Sequence, residues 1–113
     1  MQNVYFIPSW DKKFENSQSR KIKKLTWVPI PVDFDEDYLE LVVRPNGAAY
    51  FGVWMVIVMI AAKCSTRGTL AWSNGLPMSA ANLAHISRMP LKLLEKVLPV
   101  LMEIGLLAER KGA

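Results

Sequence analysis

Residues 79–107, SAANLAHISRMPLKLLEKVLPVLMEIGLL, decide the fold. Ser79 precedes a short segment containing Ala80, Ala81, Leu83, Ala84 and Ile86, and its hydroxyl can accept from the amides that a helix's first turn leaves unpaired. Arg88-Met89-Pro90 then interrupts the pattern. Pro90 suits the first turn of a new helix, where the missing N–H matters little. Leu94, Val97, Leu98 and Leu101 recur at helical spacing, and Gly105 offers the residue that most readily takes a left-handed stop. Pro99 lies inside this second helix, removes one backbone hydrogen bond and is expected to bend it. Leu106-Leu107-Ala108-Glu109-Arg110 reads as a strand leaving the helix.

Working back along the chain, Ala48–Ala62 (AAYFGVWMVIVMIAA) runs fifteen residues without a charge. A bilayer core needs roughly 20, so the run reads as a helix buried in a globular core, capped at Asn46 or Gly47 and ending near Lys63. Apolar nearly all round, it belongs in the centre, with Trp54, Ile57, Val58 and Ala61 facing the deepest core. Ser65-Thr66-Arg67-Gly68 breaks it, and Thr69-Leu70-Ala71-Trp72 reads as a short strand closed by Ser73-Asn74-Gly75. Upstream, Arg44-Pro45-Asn46-Gly47 is a turn, and Asp33 is a plausible cap for an acidic helix over about Asp35–Val42. Leu25–Val32 contains two prolines and reads as an extended edge or loop. Residues 1–24 have no sustained periodicity and form an arm, for which a solvated tail, a packed extension and a functional basic arm are all open readings.

The chain has 113 residues, 51% of them hydrophobic and 21% charged, which fits one packed domain and excludes a disordered or collagenous chain. One cysteine and one histidine cannot make an intrachain disulfide or a closed four-ligand zinc site. No Gly-rich phosphate loop occurs, and the acidic cluster Asp33, Asp35, Glu36, Asp37 lacks EF-hand spacing. No cofactor or metal is expected. Without a basic region, apolar core and cleavage site at the N-terminus, the expected compartment is the cytoplasm. Cys64 adjoins Lys63 and Arg67, which would lower its pKa, but no neighbouring base is identifiable and an inert, partly buried thiol is the favoured reading. His85 is expected on the outer face of its helix, without a catalytic role. Trp10, Trp27, Trp54 and Trp72 are expected mostly in the core, with Trp72 the best candidate for base stacking.

The net charge of +4 is segmented. Residues 1–30 hold six basic groups against two acids, residues 31–50 one against five, and the remainder seven against three. A polyanionic partner would therefore meet the ends of the chain.

The order of elements, long apolar helix, short strand, short helix, turn, longer helix and strand, resembles the winged helix-turn-helix family. Its pattern of a Leu-Ala pair, aliphatic residues at fixed distances and a closing Gly-Leu-Leu is met by Leu83-Ala84, Leu94, Leu98, Leu101 and Gly105-Leu106-Leu107. More narrowly, Lys24–Pro29, Asp33-Phe34, the Gly47–Ala62 helix and Arg67-Gly68-Thr69-Leu70 resemble the N-terminal domain of phage replisome organisers and DnaD-like replication proteins, over roughly residues 22–110. The resemblance implies a mostly α (α+β) fold with short β-strands and a winged-helix domain over 25–113, which the extended arm over 1–24 precedes. Only Lys111-Gly112-Ala113 follow the first wing strand, so either the wing is rudimentary or the chain is the N-terminal piece of a longer protein, truncation being the preferred reading. It implies a module of replication initiation or transcriptional control that binds double-stranded DNA, with Pro90–Ile104 presented to the major groove.

On that reading the DNA contacts are Lys92, Lys96 and Arg88 together with Arg20, Lys21, Lys23 and Lys24 from the arm. This chain departs from the family at two points. The groups that hydrogen-bond to bases at the start of the recognition helix are replaced by Pro90-Leu91-Lys92-Leu93, and the usual turn glycine by Arg88. Binding is therefore expected to be led by phosphate contacts and weakly sequence-specific, with Glu95 and Glu103 diluting the field. The alternative is an assembly module, in which Met89, Leu91 and Leu93 pair the chain with itself or with another replisome protein. Neither a membrane nor a small-molecule substrate is expected as a partner, and no clustered nucleophile, base or metal set marks an enzyme.

Overall fold

The uncharged run from Ala48 requires cover on nearly every side, and the rest of the chain is arranged to supply it. In the computed structural model, which describes residues 3–30 and 35–111, the elements in order are β1 (Asn3–Phe6), α1 (Trp10–Lys13), a 3-10 turn (Ser19–Lys21), α2 (Glu36–Val42), α3 (Gly47–Lys63), α4 (Ala80–Ser87), α5 (Leu91–Ile104) and β2 (Ala108–Lys111). The class is mostly α with a small antiparallel sheet, as the element order implied.

The apolar run is α3, capped at Asn46, and Trp54, Ile57, Val58 and Ala61 are all buried. Both α2 and α5 pack on it. At its start Gly47 lies so close to α2 that a Cβ would run into the Val42 carbonyl, so the turn between the two helices tolerates no side chain there. The edge-on pair Tyr38–Phe51, centroids 5.3 Å apart, joins the same helices. The cap of α2 is Asp35, whose carboxylate accepts from the Tyr38 amide at 3.0 Å, two residues later than the expected Asp33, which lies outside the described residues. A carboxylate at Asp35 serves because the helix begins only at Glu36.

The decisive stretch forms two helices clasped through Leu83, Ala84, Leu94, Val97, Leu98 and Leu101, all buried. Ser79 caps α4 as expected, and Asn82 completes a reciprocal capping box by accepting from the Ser79 amide at 3.0 Å. Pro90 is the N-cap of α5 rather than its first helical residue. The helix runs unbroken past Pro99, which is exposed. At its end Gly105 takes φ 99°, and the amides of Gly105, Leu106 and Leu107 all reach the Leu101 carbonyl, at 3.1, 3.0 and 3.3 Å. This knot satisfies the helix end and redirects the chain into β2.

Two expectations change. Thr69–Trp72 is no strand: Thr69 and Ala71 make single bridges to Phe6 and Pro77, because the chain turns immediately at Trp72–Gly75. The partner of the C-terminal strand is the N-terminus, with Asn3 opposite Lys111 and Phe6 opposite Ala108. The Leu70 amide donates to Tyr5 and the Ile7 amide to Gly68, both at 2.8 Å, so β1 lies between β2 and residues 68–70.

Of the readings open for the N-terminal segment, its described part is therefore a packed extension. Trp10 and Phe14 are buried with centroids 5.1 Å apart, and Phe14 meets Trp54 of α3 at 6.4 Å. Gly68 carries φ +88°, and a Cβ there would lie 2.6 Å from the Trp10 ring. Beneath these rings Glu15, its side chain 3% exposed, accepts from Trp10 Nε1 at 2.8 Å and from the Ser19 hydroxyl at 2.6 Å, and pairs with Arg67 Nε at 2.8 Å. Arg67 also donates to the Ile22 and Ser19 carbonyls at 2.7 and 2.9 Å. One ion pair thus fastens residues 3–22 to the loop that follows α3.

Burial alone would raise the Glu15 carboxyl, but the Ser19 and Trp10 hydrogen bonds and the Arg67 charge outweigh it and hold its pKa below the ordinary value. A depressed carboxylate contributes stability above its unfolded pKa and loses it as pH falls through the folded value. Glu15→Gln, which leaves Arg67 without its counter-charge, is expected to lower stability at neutral pH by about 3 kcal/mol. In urea melts the gap to the parent chain should begin to narrow as pH falls below about 4.5 and close only below the depressed folded value. A gap independent of pH would contradict this account.

Candidate nucleic-acid interface

A surface that binds a polyanion needs cations on a face that reaches it. On α5, Lys92 and Lys96 are exposed one turn apart. Arg88 stands exposed just ahead of them, in the left-handed conformation at φ 63°, ψ 23°. This is the backbone geometry a glycine would supply, so the substitution costs roughly 1 kcal/mol of local strain and places a guanidinium at the turn. Glu95 is exposed among these cations, whereas Glu103 lies at the far end of α5, 3.7 Å from Arg44, and is partly neutralised there.

The other four nominated cations sit elsewhere. Arg20, Lys21, Lys23 and Lys24 are exposed on the segment fastened by Arg67, and Arg20 Nη2 donates to the Asp11 carbonyl at 3.0 Å. The segment is tied in by Arg20 to Asp11, by the Asn16 amide to Ser19 Oγ and by Arg67 to the Ile22 carbonyl, none of which lies on α4 or α5. The seven cations thus form two groups on separate supports. The three apolar residues nominated for assembly also divide. Leu91 is 41% exposed, whereas Met89 and Leu93 are half-buried against the core, because the side of α5 that carries Leu94 and Val97 draws them inward.

Sequence reasoning missed a second basic place. Arg110 and Lys111 of β2 border a cavity of about 370 Å³ together with Trp72, Ser65, Thr66 and Ser73. The Arg110 guanidinium lies 4.7 Å from the Phe6 ring centroid and donates to Thr69 Oγ1 at 3.1 Å. No local signal announces this, since it depends on β1 pairing with β2. Of the four tryptophans, Trp10 and Trp54 are core residues, while Trp72 and Trp27 are 41% and 67% exposed.

The remaining candidates have structural employment. Asp35 accepts from Lys13 Nζ at 3.0 Å as well as from Tyr38, and Asp37 lies 3.8 Å from the same ammonium. The Tyr38 amide and Lys13 hold the Asp35 carboxyl below its usual range despite partial burial. Among the described residues no three His, Cys, Asp or Glu side chains are grouped to hold a metal. His85 is exposed on α4. No described helix is long and apolar enough to cross a membrane.

Cys64 is buried, and its thiol donates to the Ile60 carbonyl at 3.3 Å. Burial pushes its pKa up, against a smaller opposing hydrogen bond from the Ala71 backbone. Arg67 does not activate it, being committed to Glu15. The thiol should therefore resist a disulfide reagent such as dithiobisnitrobenzoate in the native protein and react fully once denatured. Rapid native labelling would refute its inertness.

Comparison with curated proteins and with solved structures returned no match. The family profile described as N-terminal phage replisome organiser matches residues 27–112. That span covers α2 through β2 and leaves out β1, α1 and the 3-10 turn. The chain therefore belongs to the N-terminal phage replisome organiser family, which assigns it a role in phage replication.

Proposed function

We propose that this chain is a non-enzymatic winged-helix module that binds double-stranded DNA in the service of phage replication. The observation that carries the reading is the exposed row Arg88, Lys92, Lys96 at the start of α5, a helix held rigidly by its leucine contacts with α4. Two helices joined by a tight turn, with the second presenting its N-terminal half, is the arrangement that enters a major groove. In this reading β2 is the first wing strand, and β1 lies beside it where a returning strand would pair.

The chemistry of the row sets the mode of binding. Ammonium and guanidinium groups neutralise phosphates, while Leu91 and Leu93 supply no hydrogen bonds to base edges. Affinity is then dominated by counterion release, with little discrimination among sequences. Arg20, Lys21, Lys23 and Lys24 add to the field from the N-terminal segment. Other replication-machinery proteins are partners in keeping with the family.

Fluorescence anisotropy with a labelled duplex tests this. Binding at low salt should fall steeply as salt rises, and Lys92→Ala with Lys96→Ala should weaken it for all sequences alike and reduce the salt slope by about 2. A parent chain that fails to bind duplex at low salt would end the proposal.

A second reading, self-assembly through the same region, rests on Ile86 and Leu91, both exposed beside the α4–α5 turn. Sedimentation equilibrium is expected to show association that Leu91→Asp abolishes. A strict monomer at high concentration would dispose of it.

A further inference from the structure

We infer that the cavity beside β2 is a binding site for an unpaired nucleic-acid strand, with Trp72 stacking on a base and Arg110 and Lys111 holding the adjacent phosphates. The site is distinct from the α5 row. Its volume of about 370 Å³ falls in the range of ligand-sized clefts. An exposed indole, two cations and the hydroxyl-bearing Ser65, Thr66 and Ser73 line it, and among the described residues no carboxylate does.

Charge and geometry select the occupant. Arg110 is oriented in advance by Thr69 Oγ1 and the Phe6 ring, so little side-chain freedom is lost when it meets a phosphate. Strand alternation puts the nearest acid in sequence, Glu109, on the face of β2 opposite Arg110, though on the same face as Lys111, and Asn3 Nδ2 donates to Glu109 Oε2 at 2.8 Å. The two cations of the lining outnumber this one neighbouring acid, so the field at the cavity is positive. Trp72 stands at the start of a closed turn, its amide donating to the Leu76 carbonyl at 2.9 Å and the Gly75 amide to its own carbonyl at 2.8 Å. These bonds fix the backbone that carries the indole, and the exposed ring offers a stacking surface. A base inside a duplex has both faces covered by its neighbours, whereas an unpaired one can lie on the ring, and such platforms accept any base.

The test uses the whole chain and a labelled short oligothymidylate at low salt, with a duplex of equal length in parallel. The parent chain should bind the single strand. Trp72→Ala should weaken that binding at least about fivefold, and Trp72→Phe, which keeps an aromatic face, should lose less. Ser73→Glu, an exposed turn position where the new carboxylate opposes the phosphates without touching the core, should weaken it by a similar factor. Both Trp72→Ala and Ser73→Glu should leave duplex binding unchanged, and Lys92→Ala with Lys96→Ala should leave oligothymidylate binding unchanged. Absence of oligothymidylate binding by the parent chain, or binding that neither variant alters, overturns the inference. A parent chain that binds the single strand but not the duplex would reject the α5 proposal and support this one.

Discussion

The architecture depends on the burial of α3. A helix with Trp54, Ile57, Val58, Ile60 and Ala61 turned inward cannot stand against water on most of its circumference. Each large aliphatic group removed from solvent contributes about 1.5–3 kcal/mol, and α2, α5 and the aromatic N-terminal segment each cover part of the rod. The N-terminal segment is drawn in by the same force: Trp10 and Phe14 gain more from α3 and from each other than the segment loses in freedom.

Once those rings are buried, a carboxylate is buried with them. Glu15 is held by three donors, and Arg67 is in turn held by two backbone carbonyls, so the charges are matched and hydrogen-bonded together. The arrangement has consequences beyond the pair itself. It removes Arg67 from the surface and from Cys64, and it sets Gly68 against Trp10 so that β1 can pair with β2 and frame the cavity at Trp72. Packing of a segment that lies outside the family's matched span thereby shapes a surface within it.

Both candidate surfaces follow from placing cations on rigid supports. On α5 the buried leucine stripe leaves Lys92 and Lys96 no direction but outward. On β2, strand alternation separates Arg110 from Glu109. Asp35 and Asp37 are spent on capping α2 and on Lys13.

The pair α4–α5 was legible because its determinants are local: Ser79, leucines three and four apart, and Gly105 act within a few residues of one another, whereas the left-handed turn at Arg88 emerged only from the structure. The centrality of α3 was legible for the same reason, from an uncharged run of known length. The reciprocal cap at Asn82 needed only attention to the third helical position, whereas Asp35 in place of Asp33 turned on where α2 begins. What the residues could not announce was any contact between distant parts of the chain. Asn3 pairs with Lys111 across nearly the whole sequence, and the strand-forming tendency of β1 and β2 acquires a partner only once α3 and α5 bring their ends together. The Glu15–Arg67 pair, the half-burial of Met89 and Leu93, and the meeting of Trp72 with Arg110 belong to the same class. Periodicity and capping are written in neighbouring residues and determine the helices; which cations share a surface, and what lies beside them, is decided only when burial of the apolar rod closes the chain on itself.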